Sequence, residues 1–277
     1  MSIRFIATDL DGTLLNTIGT LSPYTAQVLH LCAQKGIKIA VATGRAYSTM
    51  PACIFENRDI DYAVTSNGAA VYDLKKQCLL THSLLPAESV RRLAEYALAH
   101  KLGVEFICNG KAYGEAYYFD HPEDFGFDAR SIRYLKSTRI KIENLSLFLK
   151  EHLHAVESVD FVLRQPQMRA EIEEIFCKDT SLYITSSHPH ILEFSAAGGG
   201  KGSAVLDLLK KEGLTTANLA AFGNADNDFD MLQPAKMGVA TANSPDSLKQ
   251  KLTFTCGACE DDGVAKFIEQ YILESRK

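Results

Sequence analysis

The sequence lacks the apolar run of about eighteen or more residues that a membrane-spanning helix requires. It also lacks an excess of positive charge, since 29 Lys and Arg stand against 34 Asp and Glu and the net charge is -5. Nonspecific nucleic-acid binding needs a basic field, so this balance excludes a polyanion-binding surface spread over the whole molecule. We therefore expect neither a membrane nor a nucleic-acid partner, and an anionic ligand must be held by local positive charge.

The cysteines lack a secretory pattern. All seven are scattered, their number is odd, and no continuous apolar segment opens the sequence. We therefore expect a reduced, cytoplasmic protein. Cys256 and Cys259 form one CxxC pair without a second, so we interpret the pair as coincidence, with a zinc or redox role as the alternative.

The first motif comes directly after the apolar run Ile3 to Thr8. Asp9-Leu10-Asp11-Gly12-Thr13-Leu14 places two carboxylates one residue apart at the end of this predicted buried strand. Like charges this close must be held by a cation, a hydrogen-bond network or a proton. A turn or a helix cap is the commoner explanation of such a string. Which explanation holds depends on which other residues the fold places beside these two carboxylates.

Alternating strands and helices predict a parallel sheet. A helix beginning at Ser22-Pro23 connects the first strand to a second apolar strand at 37–42, and such a unit brings the carboxyl ends of both strands to one edge. Doubly wound sheets bind ligands at this edge, so we expect four polar clusters to converge there. The clusters are Asp9 to Leu14, Thr43-Gly44-Arg45, Lys201 in GGGKG at 198–202, and Gly223 to Asp228.

The alternation is interrupted in the middle of the chain. A helical pattern at 86–100, an aromatic and acidic loop at 113–128 and a basic stretch at 130–141 predict an inserted α+β domain at 85–189. The catalytic core then comprises 1–84 and 190–277, and we interpret His188 and His190 as part of a linker between the domains, with metal binding as the alternative. We interpret the aromatic loop as core of the inserted domain. The basic stretch is either a solvated strand face or a substrate contact.

The converging clusters contain the parts needed for phosphoryl transfer. Magnesium prefers oxygen ligands and is commonly held by one or two carboxylates. Lys201 supplies a point charge for a phosphoryl group, and Thr43 supplies a hydroxyl and backbone donors. Three glycines before Lys201 also suggest a nucleotide-binding P-loop. This alternative is disfavoured because Ser195 occupies the place of the first P-loop glycine and Gly202 that of the Ser or Thr.

Four ordered motifs resemble those of the haloacid dehalogenase superfamily. They are DLDGTL at 9–14, TGR at 43–45, the lysine of GGGKG at 201, and GNADNDFDM at 223–231. The SNG turn at 66–68 and the inserted domain look like the Cof-type branch, subclass IIB. All four motifs in order make the resemblance specific, and it covers the whole chain. It implies a doubly wound parallel, Rossmann-like α/β core with an inserted cap.

The resemblance also implies an activity, a magnesium-dependent phosphatase. Asp9 would attack phosphorus and form an aspartyl-phosphate, and Asp11 would act as general acid and base. Magnesium would be held by Asp9, the backbone carbonyl of Asp11 and Asn224, with Asp228 as a further candidate ligand. The residues expected to hold the phosphoryl group are Thr43, Gly44, Arg45, Lys201 and Asn227, of which Thr43 and Lys201 also count as catalytic.

Asn224 departs from the family pattern, which usually has aspartate directly after the glycine of the fourth motif. An amide oxygen can ligate magnesium but brings no charge, so we expect weaker binding, with Asp226 as an alternative ligand. The implied substrate is a small phosphorylated metabolite such as a sugar phosphate. The alternatives are a phosphomutase and a phosphometabolite-binding or regulatory protein with weakened catalysis. We expect a monomer or a weak homodimer.

Overall fold

The computed structural model describes residues 2–274, which fold into two compact units. The second unit consists of Arg45–Thr49 and His82–Gly199, and the first unit is the rest of the described chain. In this part of the chain we find no helix that is both long and apolar enough to cross a membrane.

The elements are numbered in chain order. The strands are β1 Phe5–Thr8, β2 Lys38–Ala42, β3 Tyr62–Thr65, β4 Ala70–Asp73, β5 Cys78–His82, β6 Gly103–Cys108, β7 Lys111–Glu115, β8 Ile140–Ile142, β9 Val156–Val162, β10 Leu182–Thr185, β11 Ile191–Ala196, β12 Leu219–Gly223, β13 Met237–Thr241 and β14 Phe254–Cys256. The α-helices are α1 Pro23–Gln34, α2 Ala52–Glu56, α3 Ala87–Ala99, α4 Ala116–Asp120, α5 Ala129–Thr138, α6 Leu145–His152, α7 Met168–Phe176, α8 Lys201–Lys211, α9 Phe229–Leu232, α10 Asp246–Lys249 and α11 Gly263–Ile268.

The first unit is built on a sheet with the strand order β14-β13-β12-β1-β2-β3-β4-β5. The strand β1 lies near the centre and pairs in parallel with β2 and β12. Parallel pairing continues outward to β3 on one side and to β13 and β14 on the other, whereas β4 is antiparallel to β3. The predicted doubly wound parallel α/β core is therefore confirmed.

Local sequence accounts for the elements that position the site. All four residues of β1 are buried, as expected for a continuous apolar strand whose two faces are both covered in a parallel sheet. Helix α1 begins where the sequence predicts, because Ser22 accepts a hydrogen bond from the Thr25 amide at 2.9 Å and Pro23 occupies the first turn. The connection through α1 places β2 beside β1 and parallel to it.

The second unit is built on a sheet with the order β10-β11-β9-β6-β7-β8. Its strands pair antiparallel, except that β7 and β8 are parallel. One face of the sheet packs against helices in a large apolar core that includes Phe106, Val159, Phe161 and Phe194. The unit has the mixed α+β character that the sequence predicts.

The predicted boundary at 189/190 is wrong by about ten residues. Ile191–Ala196 forms β11, which pairs with β9 and β10 inside the second sheet, so the chain returns to the first unit only at Gly200. The first junction lies at His82 rather than after residue 84. His188 and His190 consequently lie in the turn between β10 and β11 and not in a linker between units.

The basic stretch at 130–141 is not a strand face. It forms most of α5 and the start of β8, and Asp128 caps the start of α5 because its carboxylate accepts from the Ser131 amide at 2.8 Å. The aromatic segment before it contains β7 and α4 rather than a plain loop. Its Tyr118 and Phe125 are buried in a cluster with Leu135, as expected for core residues.

Candidate active site

Asp9 stands at the carboxyl end of β1, where the central strand leaves the sheet. Its amide donates to the Phe222 carbonyl at 2.9 Å, which extends the pairing of β1 with β12 by one residue and fixes the start of the turn. The Asp9 side chain is buried, whereas Asp11 is exposed. The two carboxylates of the first motif therefore lie in different environments, which suits them to different tasks.

Lys201 is the first residue of α8 and is only 1% exposed. Its Nζ lies 2.7 Å from Asp9 Oδ1 and 2.7 Å from Asp228 Oδ1. A buried ammonium is tolerated only when it is paired and hydrogen-bonded, and here two carboxylates satisfy it. These two contacts bring together residues of the first, third and fourth motifs, as we expect from the sequence.

The Lys201 ammonium does not fully offset the effects of burial and of the neighbouring carboxylates on the pKa of Asp9. Burial raises the pKa of Asp9 to about 7, against the Lys201 ammonium, which lowers it. Burial acts to lower the pKa of Lys201, but the carboxylates of Asp228 and Asp9 outweigh burial and raise it. Lys201 therefore stays charged at neutral pH. A further cation at Asp9 would favour the ionised carboxylate that a nucleophile needs.

The Asn224 side chain lies against the other oxygen of Asp9. One end of its amide is 3.1 Å from Asp9 Oδ2, 3.1 Å from the Asp11 carbonyl oxygen and 2.9 Å from Thr13 Oγ1. With the amide nitrogen at this end, Asn224 donates to all three oxygens. With the amide oxygen there, Asn224 accepts from Thr13 and faces two further acceptors, an arrangement that a cation stabilises.

The second orientation fits magnesium. Adjacent ligands at the usual 2.0–2.1 Å from an octahedral magnesium ion lie roughly 2.9 Å apart, close to the 3.1 Å that separates the Asn224 amide from Asp9 Oδ2 and from the Asp11 carbonyl oxygen. Within residues 2–274 no group of three or more His, Cys, Asp and Glu side chains could hold a metal. Such a group consists of these four side-chain types only, whereas the resemblance predicts the Asp11 backbone carbonyl and the Asn224 amide as two of the ligands.

Asp228 is fully buried and both of its oxygens are occupied. Oδ1 binds Lys201, while Oδ2 accepts from the backbone amides of Asn224 at 2.8 Å and Ala225 at 3.0 Å. The sequence predicts Asp228 as a metal ligand, but its observed contacts orient Lys201 and close the loop that carries Asn224. Asp226, the alternative ligand, is exposed.

Asn67 is the residue of this region that the sequence does not single out. Its amide donates to the Thr43 carbonyl at 3.1 Å and its carbonyl accepts from the Gly200 amide at 3.0 Å. Its side-chain oxygen accepts from Asn227 Nδ2 at 3.0 Å. Asn67 thus connects the segments that carry Thr43, Lys201 and Asn227. Asn67 is the second residue after β3, which ends at the same edge of the sheet, so a polar residue shortly after this strand was the available signal.

The SNG turn is so close to Gly200 that Gly68 has no room for a side chain. Gly68 has a φ of 93°, and a Cβ built on it would lie 2.2 Å from the Gly200 carbonyl oxygen. Gly213 also has a positive φ of 65°, but a Cβ there would meet nothing within 4 Å. Alanine at position 68 therefore adds a steric overlap to the conformational strain that alanine suffers at both positions.

We expect Gly68→Ala to lower the free energy of unfolding by about 1–3 kcal/mol more than the matched Gly213→Ala control. Urea denaturation of both variants measures the difference. Equal losses in the two variants would contradict the close approach of Gly68 to Gly200.

Most of the predicted site residues belong to the first unit, and one belongs to the second. Thr43 is buried at the end of β2, with Gly44 directly after it. Arg45 belongs to the second unit, where its Nη1 donates to the Thr49 carbonyl at 2.7 Å and its guanidinium lies 4.9 Å from the centre of the Tyr134 ring.

The CxxC pair is not built for metal or redox chemistry. Cys256 and Cys259 are free thiols and both are buried. Burial raises the pKa of Cys256 to about 12 and also raises the pKa of Cys259, so both stay protonated at neutral pH. The thiolate is the form that binds metal and attacks disulfides, and it is disfavoured here.

Known proteins with related sequences share this architecture. A family model described as haloacid dehalogenase-like hydrolase matches residues 6–268. A 5-amino-6-(5-phospho-D-ribitylamino)uracil phosphatase of Bacillus subtilis (strain 168) is 28% identical and aligns over 98% of both chains. A pyridoxal phosphate phosphatase of Escherichia coli (strain K12) is 24% identical over 99% of this chain and 100% of the relative.

Solved structures have the same fold. A haloacid dehalogenase-like hydrolase from B. subtilis superposes with a TM-score of 0.86 at 22% identity, covering 97% of this chain and 100% of that one. A sugar phosphatase of subclass IIB superposes with a TM-score of 0.81 at 19% identity, covering 97% and 98%. The family match spans all four motifs and both units, and we conclude that the chain belongs to the haloacid dehalogenase-like hydrolases.

Proposed function

We propose that the protein is a magnesium-dependent phosphatase that hydrolyses small phosphorylated metabolites through an aspartyl-phosphate on Asp9. One observation supports this most strongly. The Lys201 ammonium bridges Asp9 Oδ1 and Asp228 Oδ1, while Asp9 Oδ2 lies beside the Asp11 carbonyl oxygen and the Asn224 amide. One oxygen of the nucleophile is thus held by a fixed cation, and the other belongs to a set of oxygens suited to a second cation.

The residues divide the chemistry between them. Asp9 forms an oxygen–phosphorus bond as the bond from phosphorus to the leaving oxygen breaks, and Asp11 donates the proton that this oxygen needs. In the second step water attacks phosphorus, Asp11 accepts its proton, and the bond from Asp9 to phosphorus breaks. Asp11 is exposed, which allows it to exchange protons with solvent. The first step releases the leaving group as an alcohol, and the second releases phosphate and regenerates Asp9.

The phosphoryl group gains negative charge as it transfers, and fixed donors stabilise that charge. Lys201 supplies the ammonium, Thr43 a hydroxyl and Gly44 a backbone amide at the end of β2, whereas the Thr43 amide donates to the Val64 carbonyl at 2.9 Å. Asn227 donates a side-chain hydrogen bond to Asn67, and this contact connects the two loops that carry these residues. Asp228 acts through Lys201, as a positioning residue.

Magnesium would be held by Asp9, the Asp11 carbonyl and Asn224. When bound it would offset the charge of the Asp9 carboxylate and of the phosphoryl oxygens. The observed oxygen distances support this assignment, and the raised pKa of Asp9 supports the need for a second cation beside Lys201.

The substrate class follows from the relatives. The B. subtilis relative acts on a phosphorylated ribitylaminouracil and the E. coli relative on pyridoxal phosphate, both small phosphate monoesters. We assign the second unit, residues 82–199 with 45–49, as the cap that excludes water and selects the leaving group.

Asn224→Asp is expected to lower the magnesium concentration that gives half-maximal activity by roughly tenfold, which corresponds to about 1.4 kcal/mol of added attraction between carboxylate and cation. The magnesium-dependent rise in melting temperature should begin at correspondingly lower concentrations. The matched control is Asn57→Asp, which adds the same charge at a site where Asn57 Oδ1 accepts a hydrogen bond from the Asp59 amide.

An unchanged magnesium requirement in Asn224→Asp would remove Asn224 from the ligand set. The alternative ligand is tested with Asp226→Asn, which should leave the requirement unchanged under our assignment. A raised requirement in that variant would show that Asp226 ligates in place of Asn224.

The experiment that tests the function is a phosphate-release screen over phosphorylated sugars, polyols and cofactors at several magnesium concentrations, with chelator as the control. We expect magnesium-dependent release of free phosphate from at least one class. Isomerised sugar phosphate without free phosphate would favour the phosphomutase alternative. Binding of these compounds without any release would favour the regulatory protein and contradict the enzyme.

A further inference from the structure

Asn243 lies two residues beyond the end of β13. This strand pairs in parallel with β12, so it ends at the same edge of the first sheet as the strand that leads to Asp9. Asn243 Nδ2 donates a hydrogen bond to the Gly12 carbonyl at 2.8 Å, and the Thr241 hydroxyl lies 3.4 Å from the same oxygen. A residue outside the four motifs thus contacts the first motif directly.

Both ends of the Asn243 amide contact the backbone. Its Nδ2 faces the Gly12 carbonyl, and its Oδ1 accepts from the Cys259 amide at 3.3 Å. An amide side chain suits this pair of partners because it has a donor at one end and an acceptor at the other. Asn243 therefore connects the turn after β1 with the short 3₁₀ helix Cys259–Asp261, and all of these residues belong to the first unit.

The turn that Asn243 contacts carries Asp11. Within this turn the Leu15 amide donates to the Leu10 carbonyl at 2.9 Å, so the turn is closed on itself. Asn243 holds the turn from outside, at the carbonyl of Gly12, the residue directly after Asp11. The direction of the Asp11 side chain depends on the backbone conformation of this turn.

Gly12 packs against two asparagine side chains. Its φ is 77°, and a Cβ built on it would lie 2.8 Å from one end of the Asn224 amide and 3.5 Å from Asn243 Nδ2. Asn224 also contacts the Asp11 carbonyl oxygen, at 3.1 Å. Two consecutive carbonyls of the turn, those of Asp11 and Gly12, are thus held by side chains from two other segments.

We propose that Asn243 is a positioning residue for Asp11. By holding the Gly12 carbonyl, it keeps the turn in the conformation that directs the Asp11 carboxyl group toward the leaving oxygen of the substrate. This proposal rests on the phosphatase function proposed above, in which Asp11 donates the proton that the leaving oxygen needs. A proton donor must lie within hydrogen-bonding reach of this oxygen, and a displacement of about 1 Å can lower the rate by about 100-fold.

Substrates that differ in their need for a proton test this role. p-Nitrophenolate is a weak base and leaves phosphorus without a proton, whereas the alkoxide of a sugar or polyol is a strong base and requires one. The two substrates are therefore p-nitrophenyl phosphate and the alkyl monoester that the wild type hydrolyses fastest in the phosphate-release screen. Asn243→Ala should lower kcat/KM by about tenfold or more for the alkyl monoester and by less than about twofold for p-nitrophenyl phosphate.

A double-mutant cycle shows whether Asn243 acts through Asp11. Asp11→Asn removes the proton donor, so it should lower kcat/KM for the alkyl monoester by about 10²–10⁴-fold. In this background, with enzyme in excess over substrate, Asn243→Ala should lower kcat/KM by no more than about twofold further, because the group that Asn243 positions is no longer present. A further tenfold loss would overturn the proposal.

The matched control is Asn218→Ala. Asn218 Nδ2 donates to the Ser2 carbonyl at 3.2 Å and its Oδ1 accepts from the Thr215 amide at 3.3 Å, so this variant loses the same two kinds of contact. Asn218 directly precedes β12 and therefore lies at the opposite edge of the sheet from the end of β13. We expect Asn218→Ala to keep the wild-type ratio of kcat/KM between the two substrates.

A second variant assigns the effect to one of the two contacts of Asn243. Asn243→Asp can accept from the Cys259 amide but cannot donate to the Gly12 carbonyl, so it should shift the substrate ratio in the same direction as Asn243→Ala. A wild-type ratio in Asn243→Asp beside a shifted ratio in Asn243→Ala would assign the effect to Cys259 and overturn the proposal.

The wild type distinguishes failure of this proposal from failure of the proposed function. If the wild type releases phosphate from no alkyl monoester, the proposed function fails. If it hydrolyses both substrates and Asn243→Ala keeps both rates, or lowers both equally, Asn243 has no role in proton donation and the proposal is overturned. Partial unfolding of a variant lowers both rates by the same factor, so the ratio of kcat/KM values separates positioning from a loss of folded enzyme. We expect a loss that is confined to the alkyl monoester in Asn243→Ala and absent from Asn218→Ala.

Discussion

Replacing Asp9 by asparagine is expected to lower phosphatase activity by at least about 10⁴-fold, the loss seen when a nucleophile is removed from other enzymes. The amide keeps the shape of the side chain but cannot attack phosphorus. Asp228 still pairs with Lys201 in this variant, so the fold should persist. Steady-state phosphate release from the best substrate measures the effect, and a melting curve confirms that the variant is folded.

The matched control for Asp9→Asn is Asp207→Asn. Asp207 is an exposed aspartate on α8 that pairs with Lys210, and its loss should leave activity within about twofold. Activity of Asp9→Asn near that of the control would contradict the assignment of Asp9 as nucleophile, whereas a low melting temperature would assign the loss to unfolding instead.

Replacing Lys201 by methionine is expected to reduce the free energy of unfolding by about 3–5 kcal/mol, as for other buried ion pairs that lose one partner. The reason is that Asp228 is fully buried and would keep its charge without the ammonium 2.7 Å away. Activity should also fall by about 10²–10³-fold or more, because the phosphoryl group loses a fixed positive charge. Urea denaturation and phosphate release give the two numbers.

A second variant separates loss of the charge pair from loss of packing. Asp228→Asn keeps an oxygen that can accept from the Asn224 and Ala225 amides but removes the charge. In the Lys201→Met background this change should restore part of the lost stability, whereas in the wild type it should be destabilising. Additive losses in the double variant would contradict the electrostatic role of the pair.

Sequence alone could predict the converging edge, because strand order in a parallel α/β unit follows from short-range patterns. The continuous apolar runs before Asp9 and Thr43 mark buried strands, and the polar residues after them must come to the carboxyl edge. The contact of Lys201 with Asp9 follows from the same rule once α8 is placed at that edge. These features depend on local sequence and on the handedness of the fold.

Other features depend on contacts between distant segments, and the sequence could not supply them. The role of Asn67 arises from three partners that approach it from different loops. The sequence allows Asp228 either to bind a metal or to pair with Lys201. The conformation of the folded loop determines that it pairs with Lys201. The boundary at 190 was wrong because β11 directly precedes the glycine run, so nothing in the local pattern separates the strand from the core motif after it.

The second unit was the least predictable part of the chain. Helix α5 is rich in basic residues and has few apolar ones, so the spacing of its apolar residues does not distinguish a helix from a strand. Glu105, Asp160 and Glu193 lie on three strands that are distant in sequence, and they become neighbours only through antiparallel pairing.

The central claim is that Asp9 becomes covalently phosphorylated during turnover. The most direct test is to mix enzyme with its best substrate and magnesium, quench in acid within one turnover, and locate the phosphoryl group in the digested protein by mass spectrometry. We expect it on the peptide that contains Asp9, in an amount that falls when magnesium is removed and is absent from Asp9→Asn. Phosphate release in a single turnover with no modified Asp9 peptide, or with the phosphoryl group on another residue, would contradict the account.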